Sequence, residues 1–457
     1  MLVLLLSQSL TAQVTSVSEQ DWAKIPSHPF LFANDNRILS IKTQKDTVSQ
    51  QLQFIIKQEA EKRLFTSKIN YPNDASNLVT SRDVQGRIIS LAMAYRLFSD
   101  KRFLVKAKQE LLQLAALRDW GVGHFLDVGE ASLAAGIGLD WLYNELTETE
   151  RKTIANAIRN NALLPSLKVP ESNNNSTWVN GNFNWNPVCH AGLMVGALAI
   201  AEFEPALSKQ IVARGVKNIP IAGDAYSPDG AFAEGPSYWS YGTSFYVLSI
   251  EALRSAFANS ASLEKVPGFL KTADYRIQMV GATGEDYNYS DYHHENLNEP
   301  IMLWFAKELN RPDLLKKEIK SIDIIHNFWL KKSAQQSVTY TLPTEGGELA
   351  ESRHTPFEIL WWHPSLNNQQ NKLTAPLHFT ATGLMPIAVM RSSWNNPKAT
   401  FVAIKGGTPN NSHGHMDAGS FILEANGVRW AVDLGTESYD KMRAAKLDLW
   451  NYGQNSS

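Results

Sequence analysis

The stretch ASLAAGIGLDWLYNEL, Ala131 to Leu146, decides the fold. It is nearly all apolar or small. A helix of that composition is buried on most of its sides. The segments around it are helical too. Upstream, GRIISLAMAYRLFSD places Ile88, Leu91, Ala92 and Tyr95 at i, i+3, i+4 and i+7, which is one helix face. Downstream, LTETERKTIANAIRNNAL opens with Thr147 and Glu150, a capping box ahead of Ile154 and Ile158. CHAGLMVGALAIAEF, YGTSFYVLSIEALRSAF and IMLWFAKELNRPDLLKK extend the helical pattern to about Lys332. Very apolar helices alternate with amphipathic ones. That predicts an α/α toroid, inner helices buried and outer helices half wet.

The period changes after about Val338. PIAVMRSS and ATFVAIKGG are short and β-branched. SFILEANGVRWAVDLG is two alternating runs joined by Asn426-Gly427, a strong hairpin signal. The chain is therefore expected to be an α+β multidomain protein, an incomplete (α/α) toroid followed by the start of an antiparallel β-sheet or sandwich domain. The expected division is residues 1–13 as a signal peptide, 14–337 as the toroid and 338–457 as a linker and partial sheet. With the sheet barely under way at LWNYGQNSS, the sequence reads as cut short.

Composition narrows the function. The 457 residues carry a formal net charge of −2, which argues against a bulk electrostatic grip on nucleic acid or anionic membrane. An anionic substrate would need a local basic groove. Cys189 stands alone, so neither an intrachain disulfide nor a cysteine zinc site is expected. MLVLLLSQSLTAQ has the apolar run and small-residue end of a secretory signal, without a basic start. No other run is long enough to span a bilayer. A periplasmic or secreted protein is expected.

Four stretches carry chemistry. NGNFNWNPVCHAGLMVG sets Asn180, Asn182, Asn184 and Asn186 ahead of a buried helix, with His190 on its first turn. Four amides interleaved with aromatics suit a ligand-facing loop as well as a cap. AYSPDGAFAEGPSYWSYGTSF holds a tight turn, then Glu234, Tyr238 and Tyr241 at a helix start. The two tyrosines share a face as packing or as proton donors, and Glu234 is a dipole partner or an acid. NNSHGHMDAGSF, Asn410 to Phe421, alternates His413 and His415 into a strand, where residues two apart share a face, or into a loop entering a strand, which would send them to different neighbours. Two histidines with Asp433 across the hairpin suit zinc. TSRDVQGR sets Arg82, Gln85 and Arg87 at a helix start, to clamp carboxylates or sulfates or to pair with Asp83. In DYHHENLNEP, His293, His294 and Glu295 have metal-like composition, and a loop between helices is the simpler reading.

The stretches NFNWNPVCHAGLMVGALAIAE, SPDGAFAEGPSYWSYGTSF and NNSHGHMDAGSFILEANGVRWAVDLG resemble the heparinase II/III-like polysaccharide lyases, alginate lyases included. The likeness runs from roughly residue 70 to the end. It implies an incomplete toroid followed by antiparallel sheets, and β-elimination on a uronate polymer without a redox cofactor. It implies that Asn184, with Asn186 beside it, neutralises the substrate carboxylate. Tyr238 matches the catalytic tyrosine, with Tyr241 its rival. His413 matches the catalytic histidine. His415 and Asp433 match ligands of a structural zinc, whose third ligand, a later histidine, is expected beyond Ser457. His190, Glu234, Tyr241, Arg82, Gln85 and Arg87 are expected to line the substrate groove. The partner expected is an anionic polysaccharide or oligosaccharide such as heparin, heparan sulfate or alginate, with a homodimer as the assembly. Some members carry a histidine where this chain has Phe183 or Trp185. Two alternatives stand beside this reading. One is a toroid glycoside hydrolase using Asp229 and Glu234. The other is a non-catalytic or decayed glycan-binding protein.

Overall fold

The computed structural model describes residues 16–71, 77–172, 176–292, 298–335, 344–345, 348–349, 352–366 and 375–447. The N-terminal signal-like stretch and His293, His294 and Glu295 lie outside them. The helices in chain order begin with α1 (Glu19–Trp22), α2 (Asp35–Thr43), α3 (Thr47–Arg63) and α4 (Leu78–Phe98). Then come α5 (Lys101–Ala115), α6 (Leu126–Trp141), α7 (Glu148–Ile158) and α8 (Leu164–Ser166). The series continues with α9 (Trp185–Ala199), α10 (Pro205–Ala222), α11 (Gly235–Phe257) and α12 (Thr272–Gln278). It closes with α13 (Ile301–Glu308), α14 (Lys316–Ser333), α15 (Thr355–Trp361) and α16 (Tyr439–Ala444).

The expected toroid is present. Helices α4, α6, α9 and α11 stand side by side in that order, and α13 and α15 continue the arc. Helices α3, α5, α7 and α10 pack outside them. All of α6 is buried, as its composition requires. Its small residues have a purpose: a Cβ on Gly192 of α9 would lie 2.0 Å from the Gly129 carbonyl oxygen, so the two backbones touch. Contacts between Gly129 and Gly192 and between Gly136 and Val195 advance together along both helices, so α6 and α9 run parallel. Gln85 of α4 meets Glu130 of α6, and Gly242 of α11 meets Asn184 at the start of α9. The four inner helices therefore bring their N-terminal ends to one end of the toroid. The capping box at Thr147 and Glu150 forms at the start of α7.

The short strands β1 (Thr344–Glu345) and β2 (Glu348–Leu349) pair antiparallel. Helix α15 follows and packs on α3, α4 and α13, so helical structure recurs within the stretch assigned to the sheet region. The main sheet holds β3 (His378–Ala381), β4 (Ile387–Arg391), β5 (Phe401–Lys405), β6 (Phe421–Ala425) and β7 (Val428–Ala431). It is antiparallel throughout, in sequence order. Asn426 and Gly427 form the predicted β6–β7 turn, with φ of 56° and 80°. Ile387, Val389, Phe401, Ala403 and Ile422 fill the buried face, an alternation set by the period of two.

Polar contacts dock this sheet onto the helices. Arg391 donates to the carbonyls of Gln278 and Val280 at 2.9 and 3.1 Å. Glu424 accepts from the Thr283 amide and hydroxyl, both at 2.9 Å. Tyr287 donates to the Ser420 carbonyl at 2.8 Å. The loop between β5 and β6, which carries both motif histidines, is thereby laid over the N-terminal ends of α9 and α11. Among the described residues, no helix is long and apolar enough to cross a membrane.

Candidate active site

The two histidines leave the strand pattern. They lie in the loop before β6, and His413 adopts a left-handed φ of 56°. A non-glycine residue in that region is strained and needs its surroundings to hold it. Here the hold is a shared carboxylate. His413 Nδ1 meets Asp291 Oδ2 and His415 Nε2 meets Asp291 Oδ1, each at 2.8 Å. Tyr439, at the start of α16, donates to the same carboxylate and lies 3.1 Å from His413 Nδ1. Burial would raise the Asp291 pKa. The hydrogen bonds from His413 and His415 outweigh it and hold the group well below the usual carboxylate range. An ionised Asp291 only accepts, so Nδ1 of His413 carries a proton.

Tyr238, on the first turn of α11, stacks on His413 with centroids 3.8 Å apart and planes 13° from parallel. Its hydroxyl is 3.2 Å from that of Tyr439. Burial pushes the Tyr238 phenol upward; the Tyr439 hydrogen bond offsets this in part, while Asp291 and Glu234 add to it. Tyr439 is pushed upward as well, by burial and then by Tyr238 and Asp291. Both therefore hold their protons.

Asn184 and Glu234 form the floor. The Asn184 amide and carboxamide donate to the two Glu234 oxygens at 2.7 and 2.6 Å. The Asn184 carboxamide oxygen is buried without a hydrogen-bond partner. Glu234 Oε2 is 3.5 Å from His413 Nε2. Burial raises the Glu234 pKa, with His413 and Asn184 opposing, and the net shift is upward.

The other predicted residues separate from this group. Asn186 spends its carboxamide on the Gly181 and Asn218 carbonyls at 2.9 and 3.0 Å. His190 is buried against Trp178 and bonds the Val179 carbonyl at 2.8 Å, and burial pushes its pKa down to about 4. Both shape the loop from below. Tyr241 is buried under the Arg82 guanidinium, 4.6 Å from its ring. Arg82 and Gln85 bond the buried Glu130 at 3.3 and 2.6 Å. Arg87 pairs with Asp83 and Glu110 and donates to the Ser67 carbonyl. Asp417, the acid of NNSHGHMDAGSF, pairs with the buried Lys405 and closes the loop.

Sequence reasoning missed Asp291 and Tyr439. Asp291 opens DYHHENLNEP, whose metal-like composition lies in His293, His294 and Glu295. Tyr439 follows the hairpin in DLGTESYDK, a polar run without a periodic signal.

The zinc expectation meets a partial donor set. His415 is buried, and its Nδ1 has no hydrogen-bond partner. Asp433 accepts from Ser420 at 2.5 Å and from the Gly435 amide at 2.9 Å. Among the described residues, no three His, Cys, Asp or Glu side chains gather as a metal site. The described residues thus do not make a closed zinc site.

Residues 373–453, which span the histidine loop, Asp433 and Tyr439, match the family model Heparinase II/III-like, C-terminal. That segment is similar to the C-terminal region of the heparinase II/III-like family. No curated protein matches the chain. Among solved structures, it is similar to the heparan sulfate lyase HepC of Pedobacter heparinus, seen in a mutant at 14% identity and TM-score 0.45. That likeness covers 93% of this chain and 62% of the other. It is also similar to a heparinase III structure at 14% identity and TM-score 0.46, over 93% of this chain and 61% of that one. The chain thus spans about three fifths of the length of these structures.

Proposed function

We propose that this protein is a heparinase II/III-like polysaccharide lyase that cleaves a uronate-containing polymer by β-elimination. The observation that carries the reading is the Tyr238–His413 stack at 3.8 Å with Asp291 behind the imidazole. It juxtaposes a proton acceptor, Nε2 of His413, and a proton donor, the Tyr238 phenol. β-Elimination needs that pair. The base takes the C5 proton, the C5–H electrons form the C4–C5 double bond, the C4–O4 bond breaks, and the acid protonates O4. No water is consumed. Tyr439 lies within hydrogen-bond reach of both the Tyr238 hydroxyl and His413 Nδ1, which gives the proton a route back to Tyr238.

The C5 proton is weakly acidic until the neighbouring carboxylate is neutralised. Asn184 and Glu234 supply the surface for that role. Burial raises the Glu234 pKa, which lessens its repulsion of a uronate, and the Asn184 carboxamide lies beside it at 2.6 Å. The N-terminal ends of the inner helices add positive partial charge on the same side. Arg82, partly exposed and electrostatically linked to Tyr238, is the cation we assign to a substrate carboxylate or sulfate. A structural zinc on His415 Nδ1 and Asp433 remains a separate proposal. Metal analysis of the purified full chain tests it, and His415→Ala should remove the metal.

The hydrolase alternative is less favoured by geometry. Asp229 accepts from the Thr382 amide and hydroxyl at 2.7 and 2.9 Å, so it docks the sheet. Glu234 is bound by Asn184. The test is product mass after incubation with heparin, heparan sulfate, chondroitin, hyaluronan and alginate. A lyase gives an unsaturated end lighter by one water than the hydrolase product.

A further inference from the structure

The segment bearing Asp291 is gripped on both sides by one buried arginine. Arg276, on α12, donates from Nη1 and Nη2 to the two Asp286 oxygens at 3.0 and 2.8 Å. Its Nε donates to Glu299 at 3.0 Å. Asp286 precedes Asp291 in the chain and Glu299 follows it. Tyr292, next to Asp291, donates to Asp286 at 3.1 Å. The second Glu299 oxygen accepts from Ser240 at 2.5 Å, and Ser240 sits on α11 between Tyr238 and Tyr241.

One guanidinium therefore ties together the segment that orients His413 and the helix that carries Tyr238. Arg276, Asp286 and Glu299 are all buried. Burying three charges is a poor way to gain stability, since well-packed apolar residues commonly do as well. A planar fork with fixed donor directions does something else: it sets the mutual position of two carboxylates, which a lysine cannot do. We infer that Arg276 is a positioning residue for the Tyr238–His413 pair, acting through Asp286, Glu299 and Asp291. Its effect on rate rests on the lyase reading. Its effect on the His413–Asp291 hydrogen bond does not.

The test compares Arg276→Lys and Ser240→Ala with the unaltered full chain. Two quantities are read: kcat and KM for unsaturated uronate formation, and the downfield proton resonance of His413 Nδ1–H, assigned by its loss in His413→Ala. Arg276→Lys should lower kcat about 100-fold, the scale of a misplacement near 1 Å, with KM little changed and the resonance shifted. Ser240→Ala should do the same by a smaller factor. Lower melting temperatures with unchanged kcat and unchanged resonance would reduce Arg276 to a purely structural residue and overturn the inference. If Arg276→Lys does not fold, Ser240→Ala decides by the same criteria. If the unaltered chain forms no unsaturated uronate from any polymer, the lyase reading fails alone. The resonance then decides: a shift in the variants supports the positioning role, and no shift overturns it.

Discussion

Asp291 receives His413, His415 and Tyr439 on one carboxylate, so it sets the tautomer and ring position of His413. An amide in its place offers one acceptor oxygen and an NH2 that opposes the Nδ1–H. Asp291→Asn should therefore lower kcat by about 100- to 10,000-fold, the range for losing a general base or its orienting acid. Initial rates of double-bond formation check this, with circular dichroism to confirm folding. A loss below about three-fold would remove Asp291 from the account. This residue was not legible in the sequence for a physical reason. It meets His413 across 122 positions and Tyr439 across 148, and no local period reports such pairing. His413, Tyr238 and Asn184 could be named only because each sits in a locally distinctive motif.

At the scale of elements, the α6–α9 contact is the tightest constraint on the toroid's inner wall. Gly192→Ala places a Cβ 2.0 Å from the Gly129 carbonyl oxygen, in a pair of helices with no room to part. It should destabilise by about 1–3 kcal/mol or more, the cost of overpacking a core, measured as a lower urea midpoint. Helix α14 makes a pH prediction. Glu318 is fully buried and accepts the Glu299 amide at 2.7 Å, and burial raises its pKa to about 7. A raised folded-state pKa means that the neutral form is the one folding favours. Its stability is full below the unfolded value of 4.5 and is lost as pH rises through about 7. Glu318→Gln should flatten the fall in the urea midpoint over that window. An unchanged slope would contradict the shift. The helices of the inner wall were legible because their small, apolar composition is itself the packing constraint. The shared direction of their N-terminal ends was not, since periodicity fixes a face and not a polarity.

For the whole molecule, function depends on how the sheet is laid over the toroid. The asparagine loop, the tyrosine helix and the histidine loop come from separate parts of the chain, and docking unites them. Asp229 belongs to that docking through Thr382. Asp229→Asn should leave lyase kcat within about three-fold while lowering the melting temperature slightly, as expected for weakening exposed hydrogen bonds. A hydrolase using Asp229 would instead lose nearly all activity. The order of the two architectures was readable from the change in hydrophobic period and the Asn426-Gly427 turn. Which loop faces which helix end required the docking contacts, which are polar and scattered from Thr283 to Glu424.

The most direct test of the central claim is the ultraviolet absorbance of the C4–C5 double bond, followed for the unaltered chain and Tyr238→Phe side by side on the uronate polymer panel. The account predicts a rise on at least one polymer and its near-complete loss in Tyr238→Phe, which keeps the ring that stacks on His413 and removes only the proton donor. A rise of equal rate in both would contradict the assignment of Tyr238 as the acid. Cleavage of a polymer without any rise would contradict β-elimination itself.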